Sequence, residues 1–241
     1  MMEKQPHIQL DESLDVRKAI VVGDPARVDI VKSVLENPQD ITYNREFKSA
    51  IGTFKGHKIL VLSTGIGAPS MVIAIEELKA IGVESVIRAG SCGAMDSSFK
   101  VGEIMVVTGA VRDEGLTEKY VPKDFPAIPS SELLMRAMKQ TEIPVKAGIA
   151  RSHDGFYMDN NMAVEDFWSR KHVLGADMET SALYVVGHLR GLRTLSILNN
   201  VVPYMEPLAD GVNELVSGES QMKIGELQSI KLALAVLTEE D

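Results

Sequence analysis

Residues 86–93 place an arginine, two glycines and a hydroxyl directly after an apolar run, and this combination can bind an anion. The guanidinium of Arg88 supplies charge and a fork of donors, and small residues such as Gly90 let backbone N–H groups come close to an anion. Ser91 adds a hydroxyl at the same point. A strand that simply ends in a tight turn has the same pattern, so this segment alone leaves both interpretations open.

A second segment near the start of the chain repeats the pattern. Residues 19–22 are apolar and lead into Gly23, Pro25 suits the first turn of a helix, and Arg27 lies just inside that helix. A helix N-terminus attracts anions because its first backbone N–H groups lack intrahelical partners. Two such turns in one chain predict a site for an oxyanion such as phosphate.

Short apolar runs alternate with helical stretches along the chain, which predicts an α/β fold with a mixed or largely parallel central sheet flanked by helices. The predicted strands are residues 18–22, 58–63, 85–89, 103–110, 145–150 and 194–199. The predicted helices are residues 25–35, 68–81, 131–140, 161–171, 178–190 and 219–237. Residues 43–54 predict an antiparallel hairpin that closes near Lys55 and Gly56, and residues 115–129 predict an irregular surface segment or a subunit contact.

Length and composition limit the class of protein. With 241 residues and 45% hydrophobic content, the chain is expected to fold as a single domain over residues 1–241. The net charge of −9 argues against a binder of nucleic acid or of an anionic membrane. The N-terminal residues have no basic start followed by an apolar stretch, and no apolar run reaches 18 residues. A soluble, cytoplasmic protein is therefore expected.

The single cysteine gives no signal of a nucleophile, and the five histidines give no signal of a metal site. Cys92 cannot form an intrachain disulfide, and it has no His or Lys neighbour in sequence that would favour a thiolate, so we expect it to pack as a small buried residue. The histidines show no His-x-x-x-His spacing. No metal site and no cofactor are expected.

Taken together, seven motifs resemble those of the hexameric branch of the nucleoside phosphorylases, a family that includes bacterial purine nucleoside phosphorylase and uridine phosphorylase. They occur in order along nearly the whole chain, at residues 6–8, 23–27, 43–46, 63–70, 87–93, 156–157 and 177–180. The resemblance implies the single-domain fold of that family and the transfer of a pentosyl group from a nucleoside to phosphate. Because phosphate itself is the nucleophile, no catalytic serine or cysteine is required, and inorganic phosphate is a co-substrate rather than a cofactor.

The resemblance also implies a phosphate site that two subunits share. Gly23, Arg27, Arg88 and Ser91 correspond to phosphate-binding positions within one subunit, and Arg88 is also expected to act in catalysis. Arg45 corresponds to the arginine that the family donates from a neighbouring subunit. Nucleoside and phosphate are thus the expected partners of a homo-oligomer, with a hexamer as the family's form.

For the sugar, the resemblance points to three residues. Glu179 is the family's carboxylate for the ribose hydroxyls, and a carboxylate that accepts two hydrogen bonds suits a vicinal diol. Met178 lies against the sugar face. His7 corresponds to the histidine that reaches the 5′-hydroxyl in the neighbouring subunit, since it stands sixteen positions before Gly23 in a Pro-His-Ile string.

The base-binding positions match the family's patterns only in part. Phe156 and Tyr157 correspond to the aromatic contact with the base, but the Gln-x-Arg with which uridine phosphorylases read uracil is absent after Tyr157. Purine phosphorylases of this branch carry a catalytic Asp at the end of a late strand, followed by an Arg about thirteen residues later. Here Val201 takes the Asp position without a gap and Asn200 takes it with a one-residue deletion, and Asn cannot deliver a proton.

The group that replaces the missing acid is therefore open, with Asn200, Glu206 and Asp210 as candidates. Three functions remain under consideration. The first is a phosphorylase that prefers inosine and guanosine, with Asn200 as an amide that contacts the base and assists catalysis. The second is a uridine or broad-specificity phosphorylase, and the third is a nucleoside-binding protein of the same fold with little turnover.

Overall fold

A computed structural model describes residues 3–206 and 220–239 of the chain. The strands in these ranges are β1 (Lys18–Val22), β2 (Glu36–Asn44), β3 (Phe47–Phe54), β4 (His57–Ser63), β5 (Ser85–Ala94), β6 (Ile104–Asp113), β7 (Val145–His153), β8 (Val173–Asp177) and β9 (Arg193–Val202). The α-helices are α1 (Pro25–Lys32), α2 (Ala68–Ala80), α3 (Ser131–Lys139), α4 (Asn161–Ser169), α5 (Thr180–Leu189) and α6 (Ser220–Thr238).

The described strands form one mixed sheet in the order β2-β3-β4-β1-β5-β8-β7-β6-β9. The last strand also pairs with β5, so the β5-β8-β7-β6-β9 part closes on itself. The central strand β5 runs parallel to β1 on one side and to β9 on the other. The carboxyl ends of these three strands therefore lie at the same edge of the sheet, which agrees with the α/β architecture predicted from the apolar runs.

Helices cover both faces of the sheet and bury two apolar clusters. On one face α2 and α5 contribute Met71, Ile75, Leu183 and Val186 to the larger cluster. On the other face α1, α3 and α6 contribute side chains to a second cluster, such as Val31 from α1. This burial on two sides explains why the central strands are almost wholly apolar instead of alternating between apolar and polar residues.

The largest difference from the sequence-based expectation concerns residues 90–94. They were expected to form a glycine turn after a strand that ends at residue 89, but β5 continues to Ala94. Gly90 pairs with Leu198 of β9, and Ala94 pairs with Gly175 of β8. Pairing on both sides supplies backbone partners that no local pattern reveals, and a register shift between Cys92 and Gly93 replaces the turn.

Two strands were not predicted. β2 is almost entirely exposed and polar, and β8 has five residues and a central Gly175, so neither shows the alternation or the apolar run that marks a strand. The hairpin turn at Lys55 and Gly56 does lie where it was predicted, between β3 and β4. A second hairpin turn, at Arg45 and Glu46, joins β2 to β3.

Residues 115–129 contain no strand or α-helix but are held firmly to the sheet. The guanidinium of Arg112 donates to the backbone carbonyls of Val121, Pro122 and Phe125. Leu116 and Phe125 pack against the larger apolar cluster. Among the described helices, none is long and apolar enough to span a membrane.

Candidate active site

A cavity of about 760 Å³ opens at the edge of the sheet where β1, β5 and β9 end. Its wall combines three groups of residues that are far apart in sequence. They are the β1–α1 turn with β5, the β8–α5 junction with the β4–α2 loop, and the end of β7 with α4. The cavity thus collects most of the residues that the sequence motifs single out.

One end of the cavity is basic and rich in small residues. Gly23, Arg27, Arg88 and Ser91 all line it, as the resemblance implies for a phosphate site. Asp24 caps α1 by accepting a hydrogen bond from the backbone N–H of Ala26, and this cap starts the helix that carries Arg27. The two arginines are buried. Two buried guanidinium groups at one wall form a site suited to an oxyanion.

Arg88 is held by two carboxylates. Its Nε donates to Oδ2 of Asp177 at 3.1 Å, and its Nη2 donates to Oε2 of Glu179 at 2.6 Å. Its Nη1 is buried and has no hydrogen-bond partner among the described residues. An unpaired buried donor on a charged group is costly, so this nitrogen is available for an acceptor that enters the cavity.

Gly90 makes room for that guanidinium. Residues two apart on a strand lie on the same face, so the side chain of Arg88 extends over Gly90. A Cβ at Gly90 would come within 2.6 Å of Cζ of Arg88 and within 2.9 Å of Cδ2 of Leu198. A glycine is therefore required at position 90 because a larger residue would collide with the side chain of Arg88, and not because the chain turns there.

The sugar end is formed where β8 leads into α5. Helix α5 begins at Thr180, two residues later than predicted, because Asp177 accepts hydrogen bonds from the backbone N–H and the hydroxyl of Thr180 and so directs the first turn. Met178 and Glu179 precede the helix and line the cavity. Oε1 of Glu179 accepts a hydrogen bond from the backbone N–H of Gly67 at 2.6 Å. Burial raises the pKa of Glu179, and Arg88 opposes that rise.

The far end of the cavity is aromatic. Phe156 and Tyr157 both line it, with ring centroids 4.8 Å apart in an edge-to-face arrangement. Phe156 is half-buried, whereas Tyr157 is 85% exposed. Cys92 lies in the wall, and burial raises the pKa of its thiol, which agrees with the expectation of an unreactive packed residue.

His7 and Arg45 lie outside the wall of this cavity. The Nδ1 of His7 is 2.6 Å from Oε1 of Glu77, and the backbone carbonyl of His7 accepts a hydrogen bond from Asn44. Arg45 is exposed in the turn between β2 and β3, with a left-handed backbone at φ 54°. Within one chain, neither residue joins the other predicted site residues.

Asn200 does not reach the cavity, contrary to the expectation that its amide contacts the base. The side chain is fully buried, its Nδ2 donates to the backbone carbonyl of Phe99 at 2.9 Å, and its Oδ1 accepts from the backbone N–H of Val202. Both hydrogen-bonding atoms of the amide therefore bind backbone groups, one on Phe99 and one on Val202 of β9. Val201 and Val202 line the cavity at this point instead. Of the two other candidate acids, Glu206 is exposed and does not line the cavity, and Asp210 lies outside the described residues.

Several residues of the site were not found from the sequence. Glu226 of α6 pairs with Arg27 through Oε1 and Nε at 2.5 Å, and Arg151, His153 and Glu165 line the cavity together with Phe156 and Tyr157. A single charged residue in a strand or helix has no neighbouring sequence pattern that would identify it as part of a site. The part of the chain that the structure covers contains no cluster of three His, Cys, Asp or Glu residues arranged to hold a metal ion.

Comparison with known proteins agrees with this geometry. Residues 17–220 match the model of the phosphorylase superfamily. The chain is 34% identical to a guanosine phosphorylase of Halorubrum lacusprofundi over 89% of this chain and 91% of that protein. It is 37% identical to a purine nucleoside phosphorylase of Plasmodium vivax over 80% of each chain. A solved structure of uridine phosphorylase from Vibrio fischeri superposes with a TM-score of 0.90, at 44% identity and over 98% of both chains.

The fold, the basic end of the cavity and the relatives lead to the same assignment. The chain belongs to the phosphorylase superfamily and is a nucleoside phosphorylase, a pentosyltransferase.

Proposed function

We propose that the protein cleaves purine ribonucleosides by phosphorolysis, with inosine and guanosine preferred, and releases the free base and ribose 1-phosphate. The observation that carries the proposal is the state of Arg88. Two buried carboxylates fix its guanidinium, and its Nη1 has no partner among the described residues beside a cavity that also presents Arg27, Ser91 and Gly23. A phosphate dianion supplies the acceptor that this donor lacks.

The arrangement suits a reaction in which phosphate attacks the anomeric carbon while the bond to the base stretches. Positive charge then develops on the sugar, and catalysis depends on holding the dianion beside that carbon. Arg88 is in contact with Glu179, so the anion-binding and sugar-binding groups adjoin one another. No protein nucleophile is needed, which is consistent with the buried state of Cys92.

The preference for a purine rests on the aromatic end of the cavity. Phe156 offers a stacking surface, and Val201 and Val202 make the wall apolar where an acid would otherwise stand. A two-ring base buries more apolar surface against such a wall than a pyrimidine does. The absence of Gln-x-Arg after Tyr157 also favours a purine.

A uridine phosphorylase is the second candidate. The similarity to the Vibrio fischeri structure, at 44% identity, favours it, since that identity exceeds those of the guanosine and purine phosphorylases reported above.

The proposed site includes residues from a neighbouring copy of the chain. His7 is oriented by Glu77, and Arg45 is exposed at a turn, yet neither lines the cavity within one chain. Tyr43 and Ile66 are large apolar residues that are 64% and 77% exposed, and Ile66 also borders the cavity. Exposed apolar residues beside a site are typical of an interface. We propose that His7 contacts the 5′-hydroxyl and Arg45 the phosphate in the adjacent subunit of a homo-oligomer, with a hexamer as the expected assembly.

The test is to incubate the protein with inosine, guanosine, adenosine and uridine, each with and without phosphate, and to measure the base and ribose 1-phosphate. Phosphate-dependent release with inosine or guanosine as the best substrate is expected. Equal release without phosphate would indicate hydrolysis and contradict the proposal. If uridine is the best substrate, the second candidate replaces the first.

A further inference from the structure

The cavity wall also contains ionisable groups that the phosphate and sugar roles do not use. Arg151 and His153 come from the end of β7, and Glu165 comes from α4. They are 3%, 5% and 8% exposed, so each is more than nine-tenths buried. Buried ionisable groups that line a cavity, rather than pack in the core, indicate recognition of a polar ligand.

The guanidinium of Arg151 is bonded to the protein through its Nε but not through its two terminal nitrogens in the described structure. Its Nε donates to Oδ2 of Asp113 on the adjacent strand β6 at 2.7 Å. Ser152 faces the opposite side of the sheet and binds Asp177, so the alternation of β7 directs Arg151 and His153 to the same face. Neither Nη1 nor Nη2 of Arg151 makes a hydrogen bond to a described residue. The outer edge of this guanidinium is therefore a fixed pair of donors without an acceptor in the described part of the chain.

Glu165 supplies an acceptor in the same cavity wall. Its Oε1 accepts a hydrogen bond from Nδ2 of Asn161 at 3.2 Å, one helical turn earlier, and Oε2 has no partner in the described part of the chain. Burial raises the pKa of Glu165, and Arg151 opposes that rise, so the two groups interact electrostatically. They nevertheless form no ion pair within 4.0 Å of each other. The outer nitrogens of Arg151 and one carboxylate oxygen of Glu165 thus remain without hydrogen-bond partners among the described residues.

His153, the last residue of β7, also lines the cavity. Its Nδ1 is buried without a hydrogen-bond partner among the residues described. Burial and the nearby Arg151 both lower the pKa of His153, so the imidazole is neutral near neutral pH. A neutral imidazole carries one N–H donor and one acceptor nitrogen, so His153 adds hydrogen-bonding capacity but no charge beside Arg151 and Glu165.

Nucleobases differ in the groups that they present at such an edge. Hypoxanthine and guanine place an oxygen acceptor beside a ring N–H donor, and uracil has the same lactam arrangement. Adenine and cytosine have the reverse, an amino donor beside a ring-nitrogen acceptor. A fixed guanidinium and a carboxylate match the lactam edge, whereas the amino edge would set donor against donor and acceptor against acceptor.

Resting on the function proposed above, we propose that Arg151 and Glu165 determine base specificity by binding the lactam edge of an oxo-base. Arg151 donates to the exocyclic oxygen, and Glu165 accepts the adjacent ring N–H. Asp113 and Asn161 position the two side chains. The consequence is a preference for inosine over adenosine, and for uridine over cytidine, which is separate from the preference for a purine over a pyrimidine.

The decisive variant is Glu165→Gln, which keeps the size of the side chain but can donate as well as accept. We expect kcat/KM for inosine to fall at least about tenfold, equal to about 1.4 kcal/mol, while that for adenosine holds or rises. The matched control is Asp166→Asn, the next residue of α4, whose carboxylate pairs with Arg170 near the surface. This control is expected to leave the inosine-to-adenosine ratio unchanged. An unchanged ratio in Glu165→Gln would overturn the proposal.

Arg151→Met removes the donors and keeps most of the apolar volume. Since Asp113 is partly exposed, water can solvate the carboxylate that loses its partner. We expect the ratio of inosine to adenosine kcat/KM to fall at least about tenfold here too. Asp113→Asn is expected to shift the ratio in the same direction by a smaller factor, and an equal loss for both substrates would assign Arg151 a structural role only.

Calorimetric binding of hypoxanthine and adenine in the presence of phosphate separates this proposal from the reaction itself. Tighter binding of hypoxanthine that is lost in Glu165→Gln supports the specificity residues even if turnover is low. Phosphate-dependent turnover with equal binding of both bases would support the proposed function but contradict the role of Arg151 and Glu165 in base specificity. If turnover does not depend on phosphate but the preference for hypoxanthine remains, the proposed reaction is contradicted and the specificity residues are not.

Discussion

The side chains of Arg88 and Glu179 are in direct contact, with Nη2 of the arginine 2.6 Å from Oε2 of the carboxylate, although 91 residues separate them in sequence. The pair connects the end of the cavity assigned to phosphate with the end assigned to ribose. Glu179 also accepts a hydrogen bond from Gly67, so its orientation is fixed before any substrate binds. Both groups are buried, and the contact therefore occurs where electrostatic interactions are strong.

Glu179→Gln tests the sugar assignment. The wild-type carboxylate accepts hydrogen bonds from Gly67 and Arg88 and can accept another from the ribose diol, whereas an amide offers only one acceptor oxygen. We expect the preference for inosine over 2′-deoxyinosine to fall about tenfold, which corresponds to one hydrogen bond. Parallel kcat/KM measurements on the two nucleosides provide the check. If the ratio does not change, Glu179 does not face the 2′-hydroxyl.

Gly90→Ala tests the space required by Arg88. The added Cβ would lie 2.6 Å from Cζ of Arg88, so the guanidinium must move away from its position at the cavity wall. Small displacements of a positioning group reduce rates strongly, and we expect kcat/KM for phosphate to fall at least about tenfold. Gly109→Ala is the matched control, because the nearest atom to its Cβ is a backbone oxygen at 3.7 Å. Normal phosphate kinetics in Gly90→Ala would contradict the placement of Arg88.

Asn200→Ala is expected to affect stability and not base choice. The amide is bonded to the backbone of Phe99 and Val202, so its removal leaves two buried backbone groups unpaired at a cost of about 1–3 kcal/mol. The neighbouring Asn199 is equally buried, but neither atom of its amide has a hydrogen-bond partner in the described chain. Thermal unfolding should therefore show a larger loss for Asn200→Ala than for Asn199→Ala. A change in the inosine-to-uridine ratio of Asn200→Ala would instead support a role at the base.

Glu165→Gln should also change how stability depends on pH. Burial raises the pKa of Glu165 in the folded protein, so the stabilisation that it contributes is fully present below the ordinary carboxyl pKa and is lost as pH rises through the folded-state value. Glutamine does not ionise. The Tm of the variant minus that of the wild type should therefore increase from about pH 5 to about pH 8. A difference that is constant over this range would show that the carboxylate is well solvated.

Mixing two inactive variants tests the shared site. In a two-fold dimer of Arg45→Ala and Glu179→Ala subunits, one of the two sites contains both native residues. Random exchange makes half of the dimers mixed, so about a quarter of wild-type sites should return. Turnover after co-refolding is compared with that of each variant refolded alone. Recovery of no activity, with mixed dimers verified by mass, would place Arg45 outside the neighbouring site.

Local sequence patterns were sufficient for most of the framework. The strand Lys18–Val22 was predicted with its observed bounds, and the helix that starts at Pro25 was predicted from the glycine turn and the proline. These signals depend on residues only a few positions apart. The exposed strand Glu36–Asn44 and the five-residue strand Val173–Asp177 lack such signals and owe their conformation to pairing with other strands.

The sequence by itself determined which residues were candidates for binding an anion and a sugar, because Gly23, Arg27, Arg88 and Glu179 lie in short strings that resemble those of a known family. Only the tertiary structure decided which other residues line the cavity and which do not. It turned the amide of Asn200 towards the backbone of Phe99, and it brought Arg151 and Glu165 into one cavity. The direction of a side chain on β9 depends on the register in which β9 pairs with its neighbouring strands. The contact between β7 and α4 depends on how both elements pack in the fold. Neither property can be read from a few consecutive residues.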